Sequence, residues 1–153
     1  MPLYLVRHGE AYSEDADPNR SLTEAGRMTV EGIAQLANSF QIPVSQIFHS
    51  GKTRARQTAE IFSDYLRPSA GVTDLNGINP HDDVAKIAPR VNPALNTMIV
   101  GHLPFLERFV SYLLTGSPDK SIIKFQAGGI VCLDRIEKDG SWYIKWALMP
   151  KMA

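Results

Sequence analysis

Three times along this chain a short apolar run stops abruptly in polar residues and is followed by a helical pattern. Residues 3–6 run into Arg7-His8-Gly9, residues 46–49 into Ser50 to Arg54, and residues 97–100 into Gly101-His102. After the first, a helix is expected from Ser21. Ser21 and Glu24 have capping-box spacing, Thr23 is a competing cap, and Val30, Ile33, Ala34, Ala37 and Phe40 recur at threes and fours. After the second, Ala55, Ala59, Phe62 and Leu66 line one side of a helix over 53–66, and after the third a helix covers 103–114. Residues 68–80 read as irregular and 82–88 as a short helix. Residues 130–136 and 142–148 flank Lys138-Asp139-Gly140-Ser141, whose Asp-Gly pair signals a hairpin. Strands alternating with helices predict an α/β fold, a three-layer α/β/α sandwich. Its central sheet is mostly parallel, with the C-terminal hairpin adding an antiparallel edge. In such sheets ligands bind beyond the carboxyl ends of the strands, where all three polar segments fall.

The 153 residues fit a single domain over 1–153, long enough to bury a core without disulfides. Sixteen Lys and Arg balance sixteen Asp and Glu, so no overall field draws in nucleic acid or an anionic membrane, and any anion site must be local. The lone Cys132 reads as a buried small hydrophobe in a strand, and no run approaches the ~18 apolar residues of a membrane span, so a cytoplasmic protein is expected.

The side chains at the rim suit one kind of chemistry. A phosphoryl group in transfer spreads charge over three oxygens, so catalysis needs positioned cations and an in-line nucleophile. Arginine keeps its charge and grips two oxygens at once, which makes Arg7 and Arg54 candidate clamps. A neutral histidine attacks through one nitrogen if the other holds its proton, and the tight loop at His8-Gly9 offers a backbone carbonyl for that.

The segments Leu5-Val6-Arg7-His8-Gly9-Glu10, Ser50 with Arg54-Ala55-Arg56-Gln57-Thr58-Ala59, and Gly101-His102 together resemble the histidine phosphatase superfamily. The short chain, Arg20 before Leu22-Thr23-Glu24-Ala25-Gly26, and Gly101-His102-Leu103-Pro104 look like its SixA-type phosphohistidine phosphatases. The resemblance implies a phosphoglycerate mutase-like fold. By it His8 becomes phosphorylated and is then hydrolysed, Arg7 and Arg54 hold the phosphoryl oxygens, His102 completes the pocket, and Arg20 adds a substrate contact. A phosphohistidine-bearing protein is the implied partner, with phosphate or another oxyanion in the pocket and no cofactor. The chain departs from the larger members at one place: they carry an acid in the stretch that here reads Asp74 to Asp83, and no glutamate stands there. Asp82, Asp83 and His81 remain unassigned candidates.

That absence bears on the substrate. An alcohol leaving group needs a positioned acid, worth roughly 100- to 10,000-fold. Imidazole has a conjugate acid of pKa about 6.5 and leaves neutral after protonation by solvent. Phosphohistidine is therefore the expected substrate, small phosphate esters are the alternative, and a non-catalytic phosphate-binding module is a third reading that gives His8 no role. Other chemistries fail on spacing. Gly51-Lys52-Thr53 lacks the upstream glycine of a phosphate-binding loop, having Gln46 there, and Cys132 lacks an arginine six residues on, having Lys138. Histidines 8, 49, 81 and 102 have no short metal-ligand spacing. Arg27 and Arg56 read as solvated helix residues, His49 and His81 as structural or surface residues, and Trp142 and Trp146 as packing on one side of a strand.

Overall fold

A computed structural model describes residues 1–151. The last two residues of the expected domain over 1–153 lie outside the described residues. Six strands form one sheet: β1 Leu3–Arg7, β2 Gln46–His49, β3 Val72–Asp74, β4 Thr97–Gly101, β5 Ile130–Arg135 and β6 Trp142–Leu148. Their order is β3-β2-β4-β1-β5-β6, parallel from β3 to β1 and antiparallel through β5 and β6. The expected edge hairpin is therefore present, and three of the five strand pairings are parallel.

The layers follow from alternation along β1. Tyr4 and Val6 pack with buried residues of α1 (Glu24–Ser39) and α2 (Thr53–Leu66), among them Val30, Ala34, Ala59 and Phe62. Leu3 and Leu5 face the opposite way, into a cluster with Val84 and Ile87 of α3 (Val84–Ile87) and Phe105, Leu106 and Phe109 of α4 (Phe105–Thr115). A strand buried on both sides reads as a continuous apolar run, which is why residues 3–6 show no polar alternation. Cys132 is buried in the first cluster, and burial pushes its thiol up to about 12.

Four details differ from the sequence reading or resolve it. Thr23, not Ser21, caps α1, its hydroxyl accepting from Gly26 N at 2.9 Å. The stretch 68–80 contains β3, three residues without apolar periodicity whose backbone pairs with β2. The short helix begins at Val84 with Asp83 as its cap and runs into a 3-10 turn at Ala88–Arg90. A register shift between Cys132 and Leu133 pairs them with Trp146 and Ile144, leaving Lys145 as the extra residue of a bulge. A bulge inverts the alternation. Trp146 therefore packs with the α1/α2 cluster and Trp142 with the α3/α4 cluster, not on one side.

Candidate active site

Strand register brings together residues that are far apart in sequence. Arg7, the last residue of β1, sits opposite Gly101, the last of β4, so His8 and His102 leave the sheet side by side. His8 N donates to Gly101 O at 3.0 Å, and the two imidazole centroids are 5.0 Å apart. On the other flank of β4, His49 pairs with Val100, which sets Ser50 beside this pair, its Oγ 2.6 Å from His102 Nε2.

Helix α2 is the second template. Arg54 lies in its first turn, Gln57 Oε1 accepts from Leu22 N at 2.8 Å, and Thr58 Oγ1 accepts from Gly9 N at 3.0 Å. The loop holding Arg20 and the loop holding His8 are thus both tied to this helix. Arg20 has φ of 50°, a left-handed conformation that costs a non-glycine residue energy and persists only where surroundings enforce it. They do so here: Arg20 N donates to Asp17 O at 2.8 Å, the Asp17 carboxylate accepts from Asn19 N and Ser21 N, and Arg20 Nε donates to Tyr12 O at 3.1 Å. Asp17 thus shapes the loop without pairing with the guanidinium. The close approach also demands Gly26, because a Cβ there would come within 2.2 Å of Glu10 O.

His8 Nδ1 lies 2.7 Å from Gly9 O. A carbonyl only accepts, so Nδ1 carries the proton and Nε2 of the neutral ring presents a lone pair. Burial lowers the pKa of His8 to about 4; the Gly9 hydrogen bond opposes the shift, and Arg54, Arg7 and Arg20 reinforce it. His102 is lowered to about 3, first by burial and then by His8, Arg54, Lys52 and Arg20. The formal charges that depress the pair are cationic, so a chain of zero net charge gathers positive charge where two neutral imidazoles meet. Arg7 Nη1 donates to Phe125 O at 3.0 Å, while Arg7 Nε, Arg54 Nε and His102 Nδ1 are buried with no partner among the described residues. Unsatisfied buried donors cost about 1–3 kcal/mol each, and two guanidiniums that keep such donors suit an oxyanion.

All five residues singled out from the sequence, His8, Arg7, Arg54, His102 and Arg20, therefore lie in one cluster. The unassigned residues do not join it. Asp82 Oδ2 accepts from Asn79 N at 2.8 Å, Asp83 Oδ1 accepts from Ala85 N at 3.0 Å, and His81 is exposed. Both carboxylates are occupied in local turns. His49 is buried with Nδ1 accepting from Gly51 N, and Arg56 pairs with Glu60 at 3.3 Å. Sequence reasoning assigned no role to Ser50, Lys52, Gln57 or Thr58. Only their closeness to Arg54 in the chain marked them, since their contacts are set by tertiary packing.

Comparison with known proteins places the chain in a family and matches its fold. Residues 3–78 match the model of the histidine phosphatase superfamily, branch 1. An uncharacterized protein of Picosynechococcus is 30% identical over 139 residues, covering 84% of this chain and 82% of that one. The protein histidine phosphatase SixA, solved with tungstate, superposes with a TM-score of 0.83 at 24% identity over 98% of this chain and 97% of its own. The alpha-ribazole phosphatase of Shigella flexneri superposes with a TM-score of 0.77 at 14% identity over 100% of this chain and 98% of its own. Strand order, the paired histidines at adjacent strand ends and the sequence match lead to one assignment: the chain belongs to the histidine phosphatase superfamily.

Proposed function

We propose that this phosphatase removes phosphoryl groups from phosphohistidine on a protein, through a covalent intermediate on His8. The hydrogen bond from His8 Nδ1 to Gly9 O carries the reading, because it commits Nε2 to nucleophilic attack at neutral pH. The Nε2 lone pair forms a bond to phosphorus while the bond from phosphorus to the substrate imidazole breaks, and the imidazole departs neutral because its other ring nitrogen has taken a proton from solvent. Water then attacks phosphorus, the bond to Nε2 breaks, and phosphate leaves. Arg7 and Arg54 hold the phosphoryl oxygens through both steps, Arg20 contacts the substrate, and His102 stabilises the charge that develops.

One feature of the site supports phosphohistidine over an ester. The cations Arg7, Arg20, Lys52 and Arg54 act on His8 and His102, while Asp82 and Asp83 are engaged in turns, so neither of these aspartates is placed to protonate an alkoxide. The likeness to SixA supports the same choice, and the likeness to the ribazole phosphatase keeps small phosphate esters as the competing reading.

Parallel turnover assays on a phosphohistidine-bearing protein and on sugar phosphates separate the two. Faster release from the protein is expected, and much faster turnover of the esters would overturn the proposal.

A further inference from the structure

The motif Arg54-Ala55-Arg56-Gln57-Thr58-Ala59 contains a buried hydroxyl that the chemistry above does not use. Thr58 is fully buried. Its Oγ1 donates to Arg54 O at 2.8 Å and accepts from Gly9 N at 3.0 Å. Gly9 O in turn accepts the Nδ1 proton of His8 at 2.7 Å. Three hydrogen bonds thus run without a break from the backbone of the arginine clamp to the ring of the nucleophile.

We infer that Thr58 is a positioning residue for the phosphatase reaction: its hydroxyl fixes the Gly9 backbone and thereby the proton and orientation of the His8 ring. This rests on His8 acting as nucleophile. The two halves of the hydroxyl contribute unequally. Arg54 O also accepts the helical N–H four residues on, so losing the Thr58 proton costs that carbonyl little. Gly9 N has no such substitute and would be buried unpaired. The neighbouring residues are tethered, His8 N to Gly101 O and Glu10 O to Thr23 N, but Gly9 itself has no side chain to resist rotation. If Gly9 rotates, its carbonyl leaves Nδ1 and the ring is free to place its proton on Nε2, the atom that must attack.

Thr58→Val keeps the shape and removes the hydroxyl, whereas Thr58→Ser keeps the hydroxyl. The valine variant should lose roughly 10- to 100-fold in kcat, the scale of a small misplacement of a reacting group, with KM little changed. The serine variant should recover most of that rate. The readout specific to positioning is the nitrogen NMR signature of His8. It should report Nδ1–H and a bare Nε2 in the unchanged protein and the serine variant, and a mixture of tautomers in the valine variant. An unaltered tautomer with a lowered kcat would mean that Thr58 acts on stability alone, and an unaltered kcat would remove its role altogether; either overturns the inference. Where the valine variant fails to fold, the Gly9 amide of the unchanged protein decides, since slow exchange supports the bond to Thr58 and rapid exchange contradicts it. The spectrum needs no substrate, so it judges the positioning of His8 even if turnover assays overturn the proposed reaction.

Discussion

Acid should weaken this protein through His8, and the size of the effect follows from the site. The unfolded chain binds a proton at His8 near pH 6.5, whereas burial and three arginines lower the folded value to about 4. Between these values the unfolded state holds more protons, so stability is fully present above pH 6.5, falls as pH drops through that window, and stops falling from this cause below about 4. A shift of about 2.5 units at 1.36 kcal/mol each gives a ceiling of about 3 kcal/mol, of which about 2.5 kcal/mol is lost by pH 4.5. The perturbation is His8→Asn, which removes the titrating group while leaving a polar side chain. Urea unfolding of the two proteins, followed by the fluorescence of Trp142 and Trp146, should show their stability difference moving by about 2.5 kcal/mol in favour of the asparagine variant between pH 7 and pH 4.5. That is a large fraction of the ~5–15 kcal/mol available to a domain. A difference that stays constant to within about 0.5 kcal/mol would refute a depressed His8 pKa and with it a ring held neutral by burial and cations.

Arg54→Lys should lower the rate roughly 10- to 1,000-fold, measured by steady-state phosphate release, because an ammonium cannot grip two phosphoryl oxygens as the planar fork does. Asp82→Asn with Asp83→Asn should leave phosphohistidine turnover and the basic limb of its pH profile nearly unchanged, since the asparagine side-chain oxygens still accept from the Asn79 and Ala85 backbone N–H groups and neither carboxylate serves the reaction. A large loss on phosphohistidine would sink solvent protonation of the leaving group. Gly26→Ala should destabilise the fold by about 1–3 kcal/mol in urea titrations, because its Cβ meets a backbone oxygen at 2.2 Å and either the start of α1 or the loop after His8 must shift.

Much of the frame was legible because β1 and β4 are buried on both faces and so write continuous apolar runs, and because α1 and α2 repeat apolar residues at helical spacing. The five site residues were legible for a different reason: each sits within a few residues of a strand end or helix start, and together they match a known motif. β3 was not, since its three residues are half-buried or exposed and owe their extended form to pairing with β2. The opposed tryptophans were hidden by the bulge at Lys145, which no local pattern signals. The bonds from Ser50 to His102 and from Thr58 to Gly9 join segments that meet only in three dimensions, so a hydroxyl in the sequence carried no indication of its partner.

The central claim is that His8 becomes phosphorylated, and trapping the labelled enzyme tests it most directly. Protein quenched with alkali after brief exposure to a labelled phosphoryl donor should retain the label on His8, and the same sample quenched in acid should lose it, since phosphohistidine is acid-labile. His8→Asn should take up none. A label that survives acid, or one that persists in the asparagine variant, would place the covalent chemistry on another residue and contradict the account.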